Sequence, residues 1–105
     1  MLVRKSNITA GEICSFKLVN GDEIIAKVEE VNDDGWFISK PFVILPNQNG
    51  IGIMPAMFSA DFDKAIPLNK SHVMIAAECG VEGLKQHYVK TTTGIDVPQK
   101  GKIIV

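Results

Sequence analysis

The residues of this chain best suited to chemistry lie in two short polar stretches, Lys70-Ser71-His72 and Asn32-Asp33-Asp34. In the first, a cation stands two residues from an imidazole. Single-stranded RNA recognition combines such cations, which meet phosphate, with flat side chains that stack on or hydrogen-bond a base. The same residues also read plainly as a solvated loop, with Lys70 in water and His72 capping a turn. In the second stretch Asn32 is the better base reader, because an amide both donates and accepts hydrogen bonds. Asp33 and Asp34 repel phosphate unless a cation intervenes, and they read as a solvated acidic turn. Trp36 has the ring to stack a base but reads first as a core residue.

No catalytic set assembles, so an enzyme is not expected. Ser71 and His72 are adjacent, and in an extended segment neighbours point to opposite faces, which rules out a nucleophile–base pair. Asp33 and Asp34 fail as a carboxylate dyad for the same reason. Two histidines and two cysteines at unrelated spacings make a poor metal site, and there is no glycine-rich phosphate loop. Neither metal nor cofactor is expected.

The 105 residues suit one domain, 1–105, and a composition of 46% hydrophobic and 22% charged residues suits a globular chain with a modest core. A formal net charge of −1 argues against a wholesale basic surface for nucleic acid, although assembly can gather a few lysines round one axis. Cys14 and Cys79 read as reduced core thiols, which fits a cytoplasmic protein. The longest apolar runs, Pro41–Pro46 and Val73–Ala77, fall far short of a membrane span, and the first residues lack the apolar block of a signal peptide.

The elements that must position these stretches are short strands. Asn20-Gly21 and Asp34-Gly35 are strong hairpin signals, because their residues tolerate positive φ. They divide the early chain into strands over Ile13–Val19, Asp22–Val31 and Trp36–Leu45, a three-strand antiparallel meander. Cys14, Phe16 and Leu18 share one face of the first strand. Ile24, Ala26 and Val28 face the core from the second, with Ile25, Lys27 and Glu29 outward. Val31 is out of phase with that core face, and a bulge near Glu29-Glu30 would restore it. Pro41 demotes the middle of the third strand to an edge or kink, while Phe42-Val43-Ile44-Leu45 is apolar on both faces and should be covered on two sides. A return strand over Ile51–Ser59 follows, then extended pieces over Ala65–Leu68 and Val73–Glu78. Val81, Leu84 and Tyr88 share a helical face, which predicts a C-terminal helix over 81–93 with Gly94 as its stop. An N-terminal arm (1–10) and a tail (95–105) flank the strands of 11–78.

Leu18-Val19-Asn20-Gly21, the bent strand after it, the polar residue at Asn32 and the basic Lys70-Ser71-His72 before an apolar strand together resemble the Sm-like family. These are small ring-forming RNA-binding barrels, and the chain is most similar to the bacterial RNA-chaperone branch and to small members encoded by marine bacteriophages. The likeness covers about half the chain. Ala26 stands where many members have Gly, the acidic loop is longer, and the Asp-x-x-Met-Asn run and Arg-Gly pair of eukaryotic and archaeal members are absent.

The resemblance implies a mainly all-β fold: a small, strongly bent five-stranded antiparallel barrel with a C-terminal helix. It also implies a homo-oligomeric ring of five to seven subunits that binds single-stranded RNA, uridine- or adenine-rich, through Lys70, His72, Asn32 and Ser71. Met54, Met57 and Phe58 would then lie at a subunit interface. A structural scaffold or viral accessory ring without nucleic-acid affinity is the rival expectation, and peptide binding along an edge strand is a third.

Overall fold

The first hairpin forms where Asn20-Gly21 places it, but with a longer turn than the dipeptide implies. In the computed structural model, which describes residues 8–61 and 63–93, β1 (Ile13–Leu18) pairs antiparallel with β2 (Glu23–Asn32). The Leu18 N–H donates to the Asp22 carbonyl at 2.8 Å, and the Gly21 N–H to the Leu18 carbonyl at 2.9 Å. Val19, Asn20 and Gly21 make the connection, and only Gly21 has positive φ, at 99°. This is a three-residue loop closed by a glycine bulge. The second turn is tighter: Asn32 faces Gly35 across the start of β3 (Gly35–Asn47), with only Asp33 and Asp34 between.

An Asx turn opens each of these connections. The side-chain oxygens of Asn20, Asn32, Asn47, Asp61 and Asn69 each accept the backbone N–H two residues on, at 2.8–3.0 Å. Such side chains satisfy backbone donors that leave the strand ladder.

The sheet runs β4 (Gly50–Pro55), β3, β2, β1, β6 (Val73–Glu78), all antiparallel, and is not closed. β5 (Ile66–Asn69) pairs with the first part of β3, so β3 carries β5 beside its start and β4 beside its end. There are thus six strands rather than the five of the expected barrel: the return strand stops at Pro55 instead of Ser59, and both extended pieces expected after it form strands, β5 and β6. A single 3-10 turn, Lys70–His72, joins β5 to β6. That turn carries the chain from the β3 side of the meander to the β1 side.

The expected bulge is present, but Val31, whose phase suggested it, stays 43% exposed and joins neither apolar layer. Val28 faces Ile38 but Glu30 faces Phe37, leaving Glu29 as the extra residue of β2. A second bulge compensates on β3: Lys27 faces Ser39 while Ile25 faces Phe42, so Lys40 and Pro41 both stand against Ala26. Lys40 has φ of +50°, a left-handed conformation that non-glycine residues rarely adopt. Buried Ser39 donates its hydroxyl to Glu29 Oε2 at 2.6 Å, tying the two bulges together.

Two apolar layers lie on the sheet. One gathers Cys14, Phe16, Ile24, Ala26, Val28 and Ile38, with Trp36, Ile66 and Leu68 against it. The other places α1 (Glu82–Thr92) over Ile25, Phe42 and Ile44 through Leu84 and Tyr88. Ile25 is therefore fully buried, not outward: it does point away from the first layer, but the helix covers that face. The both-sided apolar run is covered over its first three residues, Phe42 and Ile44 beneath the helix and Val43 on the first layer, while Leu45 stays 39% exposed. Tyr88 is wholly buried, meets Phe42 edge-on at 5.9 Å, and donates its hydroxyl to the Lys40 carbonyl at 2.8 Å and the Ser39 carbonyl at 3.3 Å. The helix occupies the predicted span within one residue at each end. Gly94, the tail and most of the N-terminal arm lie outside the described residues. No helix among the described residues is long and apolar enough to cross a membrane.

Candidate nucleic-acid interface

The two polar stretches, far apart in sequence, meet in space, and a glycine permits it. A Cβ on Gly35 would stand 2.2 Å from the Leu68 carbonyl oxygen and 2.8 Å from the Lys70 nitrogen. No side chain fits there, and the φ of +147° disfavours one as well. With the glycine, the start of β3 lies directly on the end of β5, Gly35 facing Asn69 and Trp36 facing Leu68. The Lys70 N–H then donates to the Asp34 carbonyl at 2.8 Å, which locks the acidic turn to the basic one. On the other flank the Val19 N–H donates to the His72 carbonyl at 2.9 Å, so the first hairpin turn touches the same 3-10 turn.

An open cleft of about 470 Å³ lies at this junction, lined by 32–37 and 67–69. Asn32 is on its wall. One acceptor position of Asn32 is occupied by the Asp34 N–H at 2.9 Å, and its NH2 has no partner among the described residues. Trp36 plays both parts foreseen for it. It packs edge-on against Phe16 with centroids 5.0 Å apart, yet stays half-buried and forms part of the cleft.

Lys70, Ser71 and His72 are exposed and follow directly on the cleft margin, but they are not among its lining residues. They form a 3-10 turn rather than an extended segment, which sets successive side chains about 120° apart. Asn69 caps that turn by accepting the Ser71 N–H at 2.8 Å. Ser71 is thereby fixed through its backbone, and its hydroxyl faces solvent without a partner among the described residues. The local charge is mixed: Asp33 and Asp34 line the cleft, and Lys70 stands next to it.

Gly35 and the Pro67-Leu68 wall could not be picked out from the sequence in the same way. Asp34-Gly35 signals a turn whichever strand lies against it, so the contact with Leu68 leaves no local trace. Asn69 did carry a signal, an Asn two residues before a small polar residue at a strand end, which marks an Asx turn. The arrangement offers backbone-fixed amide, carboxylate and cationic groups round an aromatic floor, suited to non-covalent recognition of a flat polar ligand. No protein-family model and no curated protein sequence matches this chain.

Proposed function

We propose that this chain is a ring-forming Sm-like protein that binds single-stranded, uridine- or adenine-rich RNA without catalysis, as an RNA chaperone or RNA-processing accessory. The observation that carries the reading is the junction at Gly35. The two stretches that the family resemblance marks for RNA are hydrogen-bonded to each other beside one open cleft. Asn32 and Trp36 offer an edge and a face to a base inside it, and Lys70 with His72 offers a cation and an imidazole at its rim. The passage from β5 on β3 to β6 on β1 through one 3-10 turn supports the strongly bent, Sm-like form.

Two end strands support the ring. Among the described residues β4 and β6 each hydrogen-bond along one edge only, and both carry exposed apolar side chains. Pairing the β4 edge of one subunit with the β6 edge of the next satisfies both at once. One weak subsite per subunit then gives useful affinity through effective concentration.

The second reading is a scaffold ring without RNA affinity, favoured by the two aspartates on the cleft wall. Fluorescence anisotropy with oligo-U, oligo-A and a scrambled control, at two salt concentrations, separates the two. RNA binding weakens as salt rises, and Lys70→Ala lowers the slope of log K against log salt by about 0.7 for each phosphate left without its cation. Binding that is unchanged in the Lys70→Ala, His72→Ala double variant moves the site elsewhere. Absence of binding at low salt leaves the scaffold.

A further inference from the structure

Three methionines among the described residues are exposed. Met54 is 42% exposed on β4, Met57 is 47% exposed just past the end of β4, and Met74 is 62% exposed on β6. Met74 is the extra residue of a bulge, since Lys17 faces Ile75 and Leu18 faces Val73. The three methionines among the described residues thus all stand in the open, on or beside the two end strands, and none sits in either apolar layer. Phe58 and Ile75, exposed beside them at 77% and 63%, complete two apolar edges.

We propose that Met54, Met57 and Met74 are oxidation sites that control self-association of this protein, with hydrogen peroxide as the oxidant. The proposal rests on the edge-to-edge assembly proposed above, with a second copy of the chain as the occupant of each edge. Each thioether sulfur attacks one peroxide oxygen and gives up two electrons. The O–O bond breaks, one oxygen stays on sulfur as the sulfoxide, and the other leaves as water. The product is a polar, chiral group on a surface that must become dry when edges pair, and such a group disrupts methionine-rich interfaces. Oxidation strikes the free protomer, whose thioethers are open, and prevents it from rejoining.

The cysteines do not compete for the oxidant. Cys14 and Cys79 are both buried. The reactive species is the thiolate, and burial together with Glu12 and Glu78 pushes the Cys14 thiol up to about 12. Sulfoxides are also reversible through the two methionine sulfoxide reductase types, so the modification acts as a switch.

The test compares the wild-type chain with a Met54→Leu, Met57→Leu, Met74→Leu variant, a swap that conserves volume and apolar character. Each is treated dilute with hydrogen peroxide, checked by intact mass for added oxygens, concentrated, and sized by light scattering. The expected result is that both untreated proteins are oligomeric. Peroxide then reduces the wild type to the 11.4 kDa protomer while the variant stays assembled, and reductase treatment restores the wild-type oligomer. An oxidised wild type that still assembles overturns the proposal. So does a variant that dissociates equally, or a wild type whose methionines resist peroxide. An untreated wild type that is already a monomer overturns the assembly reading, and this proposal with it.

Discussion

The first part of β3, Gly35 to Ile38, and its last part, Phe42 to Asn47, belong to one strand but face opposite ways. Trp36 and Ile38 point into the layer around Phe16, whereas Phe42 and Ile44 point beneath α1. Even-numbered residues change sides because Lys40 and Pro41 insert one extra position between the halves. A slip of one residue sends every following side chain to the other face. Each half also has its own neighbour, β5 beside the first and β4 beside the second. The first half carries the cleft, and the second leads into the exposed edge. A short chain can thus build a recognition surface and a sticky edge from one strand, because the bulge assigns each half to a separate apolar layer.

Gly35→Ala is the strongest way to break the first half. Its methyl group would overlap the Leu68 carbonyl at 2.2 Å and would sit at a φ that alanine avoids. Overpacking and backbone strain together cost about 3–5 kcal/mol. The expected outcome in urea denaturation is a large fall in midpoint. Native-state hydrogen exchange should show the Lys70 N–H losing its Asp34 partner while the β3–β4 pairing persists. A variant as stable as the wild type would mean that the close approach of β3 and β5 is not held in solution.

Tyr88→Phe tests the latch between the halves. The ring still packs on Phe42, but the carbonyls of Lys40 and Ser39 lose their buried donor. Leaving a buried acceptor unsatisfied costs about 1–3 kcal/mol. The loss should appear as faster exchange along β3–β4, next to the left-handed Lys40, with β3–β5 little changed. Equal loss in both halves would show that the bulge does not separate them.

The local parts of this design were legible in the sequence. Both early turns, the Glu29 bulge and the span of α1 follow from Asn-Gly, Asp-Gly, the phase of Val31 and the spacing of Val81, Leu84 and Tyr88. The both-sided cover of Phe42–Ile44 was legible too, because an apolar residue on each face demands it, although Leu45 at the end of the run is exposed. What failed was non-local. Periodicity gives Ile25 a face but does not say that a helix far along the chain covers it. Pro41 announces an irregularity, yet it does not say that Lys40 turns left-handed or that the distant Tyr88 hydroxyl donates to its carbonyl. The site divides the same way. Lys70, Ser71, His72 and Asn32 were visible as residue types, whereas the Gly35–Leu68 contact that unites them has no local signature.

Alkaline pH gives the smallest effect and the sharpest separation of the two layers, because Cys14 in one and Tyr88 in the other are acids that burial holds protonated. Burial, with Glu12 and Glu78 nearby, raises the Cys14 thiol from its ordinary 9.0 to about 12, and burial also raises the Tyr88 hydroxyl above its ordinary 10.0. Both groups keep their protons in the folded chain at a pH where the unfolded chain has released them. Their stabilisation is therefore complete below the unfolded values and is lost as pH rises, from 9 for Cys14 and from 10 for Tyr88. Going from pH 9 to pH 10, the thiol alone should cost about 1 kcal/mol. Cys14→Ala, in the Phe16 layer, should flatten the loss from pH 9 up to about 12. Tyr88→Phe, in the helix layer, should leave most of the loss between pH 9 and 10 in place and flatten part of the loss above pH 10. If Tyr88→Phe removes the loss between pH 9 and 10 as well, the two layers respond as one, and the division of β3 into separately supported halves does not hold.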